Sequence, residues 1–261
     1  MPNSNPPSLA SRLYSVWFRH VLVYSRHLIS NGFPPFMEPL VFLVGIGLGL
    51  GRYITAMNGI PYLEYLASGL LVTSSMYTAS FECTFGTFIR LEFNKSYDGM
   101  LGAPITVHDL IIGEILWAAT KGAFFTFAVL CIVLITGIIP ISTSLLTPLV
   151  GFVTGAMFGT IGLVVTSFVK TINHFSFYLT GILSPMFFFS GVVFPIEHLP
   201  PFLHPLAEVL PLTHAVRLVR ALCDTASAAP STLALDLLYC LVLTVIAGYF
   251  AIRRLEKRLI Q

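Results

Sequence analysis

The stretch from residue 184 to residue 222 reads SPMFFFSGVVFPIEHLPPFLHPLAEVLPLTHAVRLVRAL, and it lies between two long apolar runs. Prolines recur through it, at Pro195, Pro200, Pro201, Pro205 and Pro211. Each proline lacks a backbone N–H and disfavours a helical conformation in the residue before it. Unpaired backbone groups are costly in hydrocarbon, so the stretch predicts short, broken helices at a membrane surface rather than a plain span. A cap of this kind between two spans indicates a gated opening through a membrane.

The composition places the chain in a membrane. Hydrophobic residues make up 56% of its 261 residues and charged residues only 10%, whereas soluble domains carry about a quarter charged residues. The formal net charge of +2 decides nothing by itself. The four cysteines, Cys83, Cys131, Cys223 and Cys240, show no CxxC spacing. We expect them to pack as small hydrophobic residues and not to form disulfides.

Six runs are long and apolar enough to span a bilayer, which takes about 20 residues in a helix. They cover residues 35–54, 62–82, 108–136, 145–169, 174–194 and 232–252. The expected fold class is therefore an all-α integral membrane protein with six transmembrane helices. Residues 1–8 do not follow the pattern of a cleavable signal peptide, so we expect insertion to depend on the spans themselves.

Lysine and arginine positions predict the orientation in the membrane. Most of these residues precede the first span, lie between the second and third or the fourth and fifth, or follow the sixth. Basic residues gather on the cytoplasmic side of membrane proteins, so both termini are expected there. Residues 195–231 then lie on the outer face. The spacing of glycines in the first and fourth spans, with Gly151, Gly155 and Gly159 in GxxxG units, predicts close packing against other helices.

Residues 9–30 have the pattern of an amphipathic helix. Trp17 shares one face with Leu13, Val21, Tyr24 and Leu28, and the basic residues lie almost opposite. Those basic residues are Arg12, Arg19 and Arg26. This arrangement predicts a helix in the inner membrane interface, with its apolar face in lipid and its basic face in water. A solvated helix is the alternative. The breakers Asn31, Gly32, Pro34 and Pro35 are expected to end this helix.

Sequence motifs of catalysis are missing from the chain. No GxxxxGKS or GxxxxGKT phosphate loop occurs, nor HExxH or GxSxG, nor a cysteine and histidine cluster with zinc spacing. The outer segment carries His198, His204 and His214, which we interpret as interfacial histidines with hydrogen bonds and not as metal ligands. Asp236 is expected near the outer surface without a special role.

Ionisable residues at membrane depth are few. Glu82 ends the second span and Lys121 lies midway along the third. Charges are costly at this depth, so we expect Lys121 to pair with Glu82 or with Glu114, or to reach toward the interface. A role in substrate binding or gating is the alternative.

The interval between the second and third spans mixes aromatic residues with both charge signs. At helical spacing its apolar residues would form a short exposed face flanked by charges; these residues are Phe85, Phe88, Ile89 and Phe93, with Arg90, Glu92 and Lys95 beside them. An exposed apolar face of this kind favours docking of a partner. A re-entrant or interfacial turn is the alternative.

The outer segment resembles a family signature. Its SGVVFPIEHLPP stretch leads to LPLTH and then to an arginine-containing helix, a sequence similar to that of the type-2 ATP-binding-cassette exporter permeases. Residues 62–121, with YLASGLLVTSSMYTASFE and YDGMLGAPITVHDLIIGEILWAATK, resemble a nodulation branch of that family, whose members export lipo-chitooligosaccharide signals. The likeness covers nearly the whole chain.

The resemblance implies an architecture and partners. Residues 1–34 would form a cytoplasmic connecting helix and residues 35–261 the six-span permease domain. Within that domain, 83–107 would be the coupling region and 195–231 the outer re-entrant segment. The permease would act as a homodimer in the inner membrane of a bacterium, with two separate nucleotide-binding ATPase subunits that bind ATP and magnesium. No cofactor on this chain, no metal and no nucleic-acid partner is expected.

The function that follows is outward transport of an amphipathic lipid-linked or glycolipid cargo of the lipo-oligosaccharide kind. Candidate residues of the outer gate are Phe187, Phe188, Phe189 and Pro195. Arg217 and Arg220 would contact cargo or lipid head groups, or anchor the helix at the interface. Three alternatives stay open: an exporter of drugs or other hydrophobic compounds, a proton-driven secondary transporter, and a membrane-embedded transferase.

Overall fold

A computed structural model describes residues 7–51, 53–54, 56–57, 59–225 and 229–259. Helices dominate this part of the chain. They are α1 (Leu9–Ser25), α2 (Leu28–Phe42), α3 (Tyr62–Phe81), α4 (Ser96–Leu101), α5 (Val107–Ile135), α6 (Thr147–Phe168), α7 (Phe175–Tyr178), α8 (Ser184–Phe189), α9 (His204–Val209), α10 (Pro211–Leu222) and α11 (Pro230–Leu259). A two-residue antiparallel pair, β1 (Ala56–Met57) and β2 (Ile60–Pro61), precedes α3.

Wider π-helical turns and tighter 3₁₀ turns extend several of these helices. The π-helical segments are Leu43–Leu48, Glu82–Gly86, Ile89–Phe93 and Leu179–Leu183; the 3₁₀ turns are Thr143–Leu146, Ile172–His174, Ile196–His198 and Pro201–Leu203. Short π-helical segments inside helices often mark functional sites. Here they fall in the first and fifth predicted spans and in the segment between α3 and α5.

Three helices of the described chain are both long and apolar enough to cross a membrane: Val107–Ile135, Thr143–Phe168 and Pro230–Leu259. They coincide with the third, fourth and sixth predicted spans. The second predicted span is a 20-residue helix, α3, whose buried face carries Thr73, Ser74 and Ser75 among apolar residues. The first and fifth predicted spans are helices interrupted by π-helical turns. The total of six transmembrane helices therefore stays a prediction.

The break between the first two helices lies earlier than the sequence predicts. The chain turns at Arg26–His27, and α2 then runs on through Asn31, Gly32, Pro34 and Pro35. The prediction that these four residues end a helix was therefore wrong. A membrane helix tolerates proline and glycine because neighbouring groups and local changes of helical pitch satisfy the freed backbone.

Glycines bring α5 and α6 together, as the GxxxG units predict. A Cβ on Gly155 would lie 2.8 Å from the Ala118 carbonyl oxygen, and one on Gly122 would lie 2.7 Å from the Gly151 carbonyl oxygen. A hydroxyl reinforces the contact, because Ser75 of α3 donates to the Gly151 carbonyl at 2.7 Å. The three helices α3, α5 and α6 thus form the centre of the bundle, with α11 packed outside α6.

The N-terminal helix packs on the bundle. Trp17 donates from Nε1 to Thr120 Oγ1 at 3.0 Å, and the Tyr24 ring lies 5.5 Å from the Trp117 ring, edge to face. The prediction that Trp17 and Tyr24 belong to a lipid-facing surface was therefore wrong, since this face of α1 covers α5. The exposed apolar residues of α1 are others, among them Tyr14, Phe18 and Leu22.

Candidate functional site

A buried cluster of charges lies between the end of α3 and the first half of α5. Arg90 is at its centre: Nη1 donates to Glu82 Oε1 and Nη2 to Glu114 Oε2, each at 2.7 Å. The second oxygen of Glu82 accepts a hydrogen bond from Lys121 Nζ at 2.7 Å. The structure therefore brings Lys121 to Glu82, while Glu114, the other partner considered from the sequence, pairs with Arg90.

Two further side chains complete the cluster. Tyr97 of α4 donates to Glu114 Oε1 at 2.6 Å, and His20 Nε2 of α1 lies 3.1 Å from the same oxygen. The Glu114 side chain is 1% exposed. A carboxylate removed from water to this degree requires close cationic partners and hydrogen bonds. We call these six residues (His20, Glu82, Arg90, Tyr97, Glu114, Lys121) the inner ionic cluster.

Possible ligand atoms of a metal ion also meet in this cluster. One ligand atom each from His20, Glu82 and Glu114 lie within 4.8 Å of one another. However, Arg90 already contacts both carboxylates and Lys121 contacts that of Glu82, each at 2.7 Å. The cationic side chains supply the positive charge that a metal ion would bring, so the geometry is that of a closed ion-pair network.

The inner ionic cluster joins segments that are distant in the chain. Its residues come from α1, from the π-helical turns after α3, from α4 and from α5. The start of α5 is fixed locally by a capping box, in which Asp109 N donates to Thr106 Oγ1 at 3.2 Å and Thr106 N donates to Asp109 Oδ2 at 2.8 Å. Arg12 lies against the same carboxylate, with Nε 3.4 Å from Asp109 Oδ2. Arg12 is thus not part of a free basic face, whereas Arg26 is exposed and Arg19 is half-buried.

The predicted coupling residues divide into buried and exposed groups. Phe88 is 3% exposed and packs edge to face on Phe175 at 5.5 Å, and Phe85 also contacts the Phe175 ring. The prediction of one exposed face containing Phe85, Phe88, Ile89 and Phe93 was therefore wrong, because π-helical turns change which side chains share a side. Ile89 and Phe93 are exposed.

The charged residues of this segment also differ in their surroundings. Arg90 lies inside the inner ionic cluster rather than beside an exposed face. Glu92 accepts a hydrogen bond from Arg258 Nη2 of α11 at 2.7 Å and is partly exposed. Lys95 is exposed and adopts φ 47°, which turns the chain into α4.

At the opposite end of the bundle, Arg220 is buried. Its Nη2 donates to the Gly191 carbonyl oxygen at 2.6 Å, and its guanidinium lies 3.7 Å from the centre of the Tyr65 ring. Tyr65 itself donates to the Gly191 carbonyl at 2.8 Å. The prediction that Arg220 contacts head groups or cargo, or anchors at the interface, was wrong in this conformation, since the side chain holds the turn after α8 against α3. Gly191 has φ 78°, a conformation that glycine adopts without strain.

Arg217, one turn earlier on α10, takes part in a second polar cluster. It forms an ion pair with Glu208 and lies 3.3 Å from Asp236 Oδ1 of α11. His214 Nδ1 lies 2.6 Å from the same Asp236 oxygen. Asp236 is 2% exposed and contacts both side chains, so the expectation that it has no special role was wrong. The sequence signal that could have found this is an acidic residue inside an apolar helix. We call Glu208, His214, Arg217, Asp236 and Tyr239 the outer polar cluster.

The predicted gate residues differ in burial. Phe187 is buried and packs against Phe42 of α2, with ring centres 5.1 Å apart. Phe188 is exposed, Phe189 is half-buried, and Pro195 is buried at the start of a 3₁₀ turn. A narrow groove with a free volume of only about 10 Å³ adjoins Phe187; it is lined by Pro39, Phe42, Leu70, Thr73, Ser74, Tyr77 and Phe187.

Long apolar helices, with a buried charge network at one end and a proline-rich cap of short helices at the other, define a membrane-spanning helical protein. Residues 11–223 match the family model of the ABC-2 type transporter, and the chain belongs to that family. It is 31% identical over 247 residues to nodulation protein J of Sinorhizobium fredii, covering 94% of this chain and 93% of that protein. It is also 32% identical over 206 residues to nodulation protein J of Rhizobium leguminosarum bv. viciae, covering 79% of this chain and 80% of that protein.

A more distant relative is the inner membrane transport permease YadH of Escherichia coli, 24% identical over 174 residues, which covers 67% of this chain and 68% of that protein. Proteins of the ABC-2 family are membrane subunits of transporters, and the chain is accordingly a transport permease. Membership of this family favours the permease prediction over the secondary transporter and the membrane-embedded transferase.

Proposed function

We propose that this chain is the permease subunit of an ATP-driven exporter. Hydrolysis takes place on a separate nucleotide-binding subunit, which binds ATP and magnesium, and the permease converts the movement of that subunit into opening of a transport path. The observation that carries this proposal is the segment between α3 and α5. It exposes Ile89 and Phe93, whereas Arg90 between them is anchored to the spans through Glu82 and Glu114.

An anchored segment with exposed apolar side chains suits the docking of a partner. Exposed apolar side chains gain free energy when a partner covers them. Displacement of the docked segment would move Arg90, and Arg90 would carry both Glu82 and Glu114 with it, because a buried ion pair is strongly destabilised by separation of its charges. Glu92 and Lys95, at the edge of this surface, would add charged contacts to the partner.

The cargo in this proposal is an amphipathic lipid-linked or glycolipid molecule of the lipo-oligosaccharide kind. The similarity to nodulation protein J over most of both chains supports it. The residues that line the narrow groove beside Phe187 combine aromatic rings with the hydroxyls of Thr73, Ser74 and Tyr77, side chains that suit contact with an acyl chain and with sugar hydroxyls when the path widens. Export of other hydrophobic compounds is the second candidate, and the apolar side chains that line the same groove favour it.

The assembly in this proposal is a homodimer in the bacterial inner membrane with both termini in the cytoplasm. The name of the E. coli relative, an inner membrane transport permease, supports the location. The transport path would run between two copies of α2, α3 and the composite helix Phe175–Phe189, with the proline-rich cap closing its outer end. Phe188, exposed on this helix, is the gate residue in the best position to contact cargo.

The experiment starts from the neighbouring reading frame, which is expected to encode an ATPase with a phosphate loop. The permease and that ATPase are purified together and reconstituted in lipid vesicles. Hydrolysis of ATP is then measured with a lipo-oligosaccharide, with a hydrophobic dye, and without cargo. Stimulation by the lipo-oligosaccharide alone supports the glycolipid proposal, and stimulation by the dye alone supports the second candidate.

Docking is tested separately with the variants Ile89→Asp and Phe93→Ala. Both should reduce the amount of ATPase recovered with the permease about ten-fold, while the permease still inserts in the membrane. Phe250→Ala is the matched control, because Phe250 is an exposed phenylalanine of α11, away from the proposed docking surface. Unchanged recovery of ATPase with both docking variants would contradict the role of this segment.

A further inference from the structure

The imidazole of His214 faces a hydrogen-bond acceptor with each of its nitrogens. Nδ1 lies 2.6 Å from Asp236 Oδ1 of α11, and Nε2 lies 2.9 Å from the backbone carbonyl oxygen of Glu208 in α9. Neither a carboxylate nor a carbonyl oxygen donates a proton in this arrangement. A neutral imidazole has one N–H and one lone pair, whereas the protonated ring has two N–H groups. Only protonated His214 satisfies both acceptors.

The charges around the ring agree with the protonated form. Arg217 lies 3.3 Å from Asp236 Oδ1 and pairs with the Glu208 carboxylate. With His214 protonated, two cations face two carboxylates and the outer polar cluster is neutral. The Tyr239 ring of α11 stacks on the imidazole at 3.9 Å, an arrangement in which an aromatic face stabilises a cation. In the described part of the chain, α3 and α6 place no titratable group in hydrogen-bond or ion-pair contact with His214.

Loss of the proton would leave the cluster poorly satisfied. One nitrogen lone pair would then point at an acceptor oxygen, and Asp236 would keep only Arg217 as a cationic neighbour. Asp236 is 2% exposed, and its Oδ2 already accepts no hydrogen bond from the described residues. A buried carboxylate without sufficient partners destabilises the contact that contains it.

This contact joins three helices of the outer end. His214 lies on α10, and through it α9 and α10, the two helices of the proline-rich cap, are tied to α11. One uncharged hydrogen bond runs beside it, from Tyr239 Oη to the Val209 carbonyl at 2.7 Å. The charged part of the connection between cap and last helix therefore depends on His214 and Arg217.

We propose that protonated His214 is a pH-sensitive latch that holds the outer cap against the last helix, and that loss of its proton loosens the cap. The role of the cap as an exit gate rests on the proposed exporter function, whereas the latch itself is a property of the folded chain. Acidity outside the cell would then keep the exit closed, and a rise in pH would favour its opening.

The test is hydrogen–deuterium exchange of the purified full-length permease in detergent, at about pH 6 and about pH 8.5, on either side of the range in which histidines usually titrate. Protection factors correct for the faster intrinsic exchange at high pH. In the wild type, the protection factors of residues 204–222, relative to those of α5, should be about ten-fold lower at the higher pH than at the lower pH. A change of this size is expected for the loss of one charge-assisted hydrogen bond.

The variants His214→Gln and His198→Gln identify the group responsible. His214→Gln should show low protection of residues 204–222 at both pH values, and His198→Gln, which changes an exposed histidine of the same segment, should keep the wild-type difference. Equal protection of the wild-type cap at both pH values would overturn the proposal, even if His214→Gln does not fold. Because exchange needs neither ATPase nor cargo, failure of the exporter function would leave this result unchanged.

Discussion

Arg90 and Glu114 form a 2.7 Å ion pair between the segment that joins α3 to α4 and the interior of α5. Arg90 also holds Glu82 at 2.7 Å, so one guanidinium joins the end of α3 to α5. The pair is nearly removed from water, with side chains 15% and 1% exposed. A surface segment is thereby connected to the helix bundle by charges that cannot easily separate.

Removal of this cation should strongly destabilise the permease. In Arg90→Met, Glu114 and Glu82 lose their shared partner, and breaking a buried pair from one side costs about 3–5 kcal/mol. The measurement is the thermal midpoint of the purified protein in detergent, which should fall clearly. Lys170→Met removes an exposed cation outside the cluster and should leave the midpoint within about one degree, since isolated surface charges contribute little. Equal midpoints for the two variants would refute the buried network.

The close contact between α5 and α6 predicts a steric effect of a single methyl group. In Gly155→Ala the new Cβ would lie 2.8 Å from the Ala118 carbonyl oxygen and 3.0 Å from Ala119 Cα. Both neighbours are backbone atoms, so α5 and α6 must separate, at a cost of about 1–3 kcal/mol. The same substitution at Gly181, where nothing lies within 4 Å, should be neutral or slightly stabilising. Unfolding monitored by circular dichroism compares the two; a stable Gly155→Ala variant would contradict the packing.

Two adjacent phenylalanines of the predicted gate should behave differently. Phe187 is 3% exposed and contacts Phe42, so Phe187→Ala should lower the free energy of unfolding by about 3 kcal/mol. Phe188 is 43% exposed, and Phe188→Ala should leave stability nearly unchanged while altering export. Thermal unfolding and an export assay in cells separate the two effects. If Phe188→Ala exports normally, this side chain only faces lipid.

Cys223, which follows α10, should resist thiol reagents. Burial, and to a smaller extent the charge of Asp224, raises the pKa of Cys223 to about 12. A raised pKa keeps the thiol protonated between pH 7 and about pH 9, and only the thiolate reacts readily with maleimide. A variant with Cys223 as its single cysteine should therefore remain unlabelled as the pH rises through this range.

The control for this labelling is Glu197→Cys in a cysteine-free background, because Glu197 is exposed in the same outer segment. Its labelling should be rapid and should accelerate with pH. Fast labelling of Cys223 in the intact, folded permease would show that the end of α10 is open to water and would contradict the packing of the cap.

Local patterns in the sequence determined much of the fold. Apolar runs predicted the third and fourth spans to within a few residues of α5 and α6, and the sixth span lies wholly inside α11. The reason is that a helix that crosses lipid must satisfy its own backbone and cover it with apolar side chains. The prolines of residues 195–211 likewise predicted a broken cap, since the loss of backbone donors acts on the chain locally. The family signature in that cap and along the spans identified the class of transporter.

Only the tertiary structure decided which charges meet. Arg90 pairs with Glu114, 24 residues away, and His214 with Asp236, 22 residues away; periodicity within one helix contains no information on such pairs. The π-helical turns after α3 also buried Phe88 and Arg90, where regular helical spacing predicted an exposed face. A buried charge is stable only where other segments bring its partners, so the positions of Arg90, Arg220 and Asp236 follow from how the helices pack and not from the residues beside them.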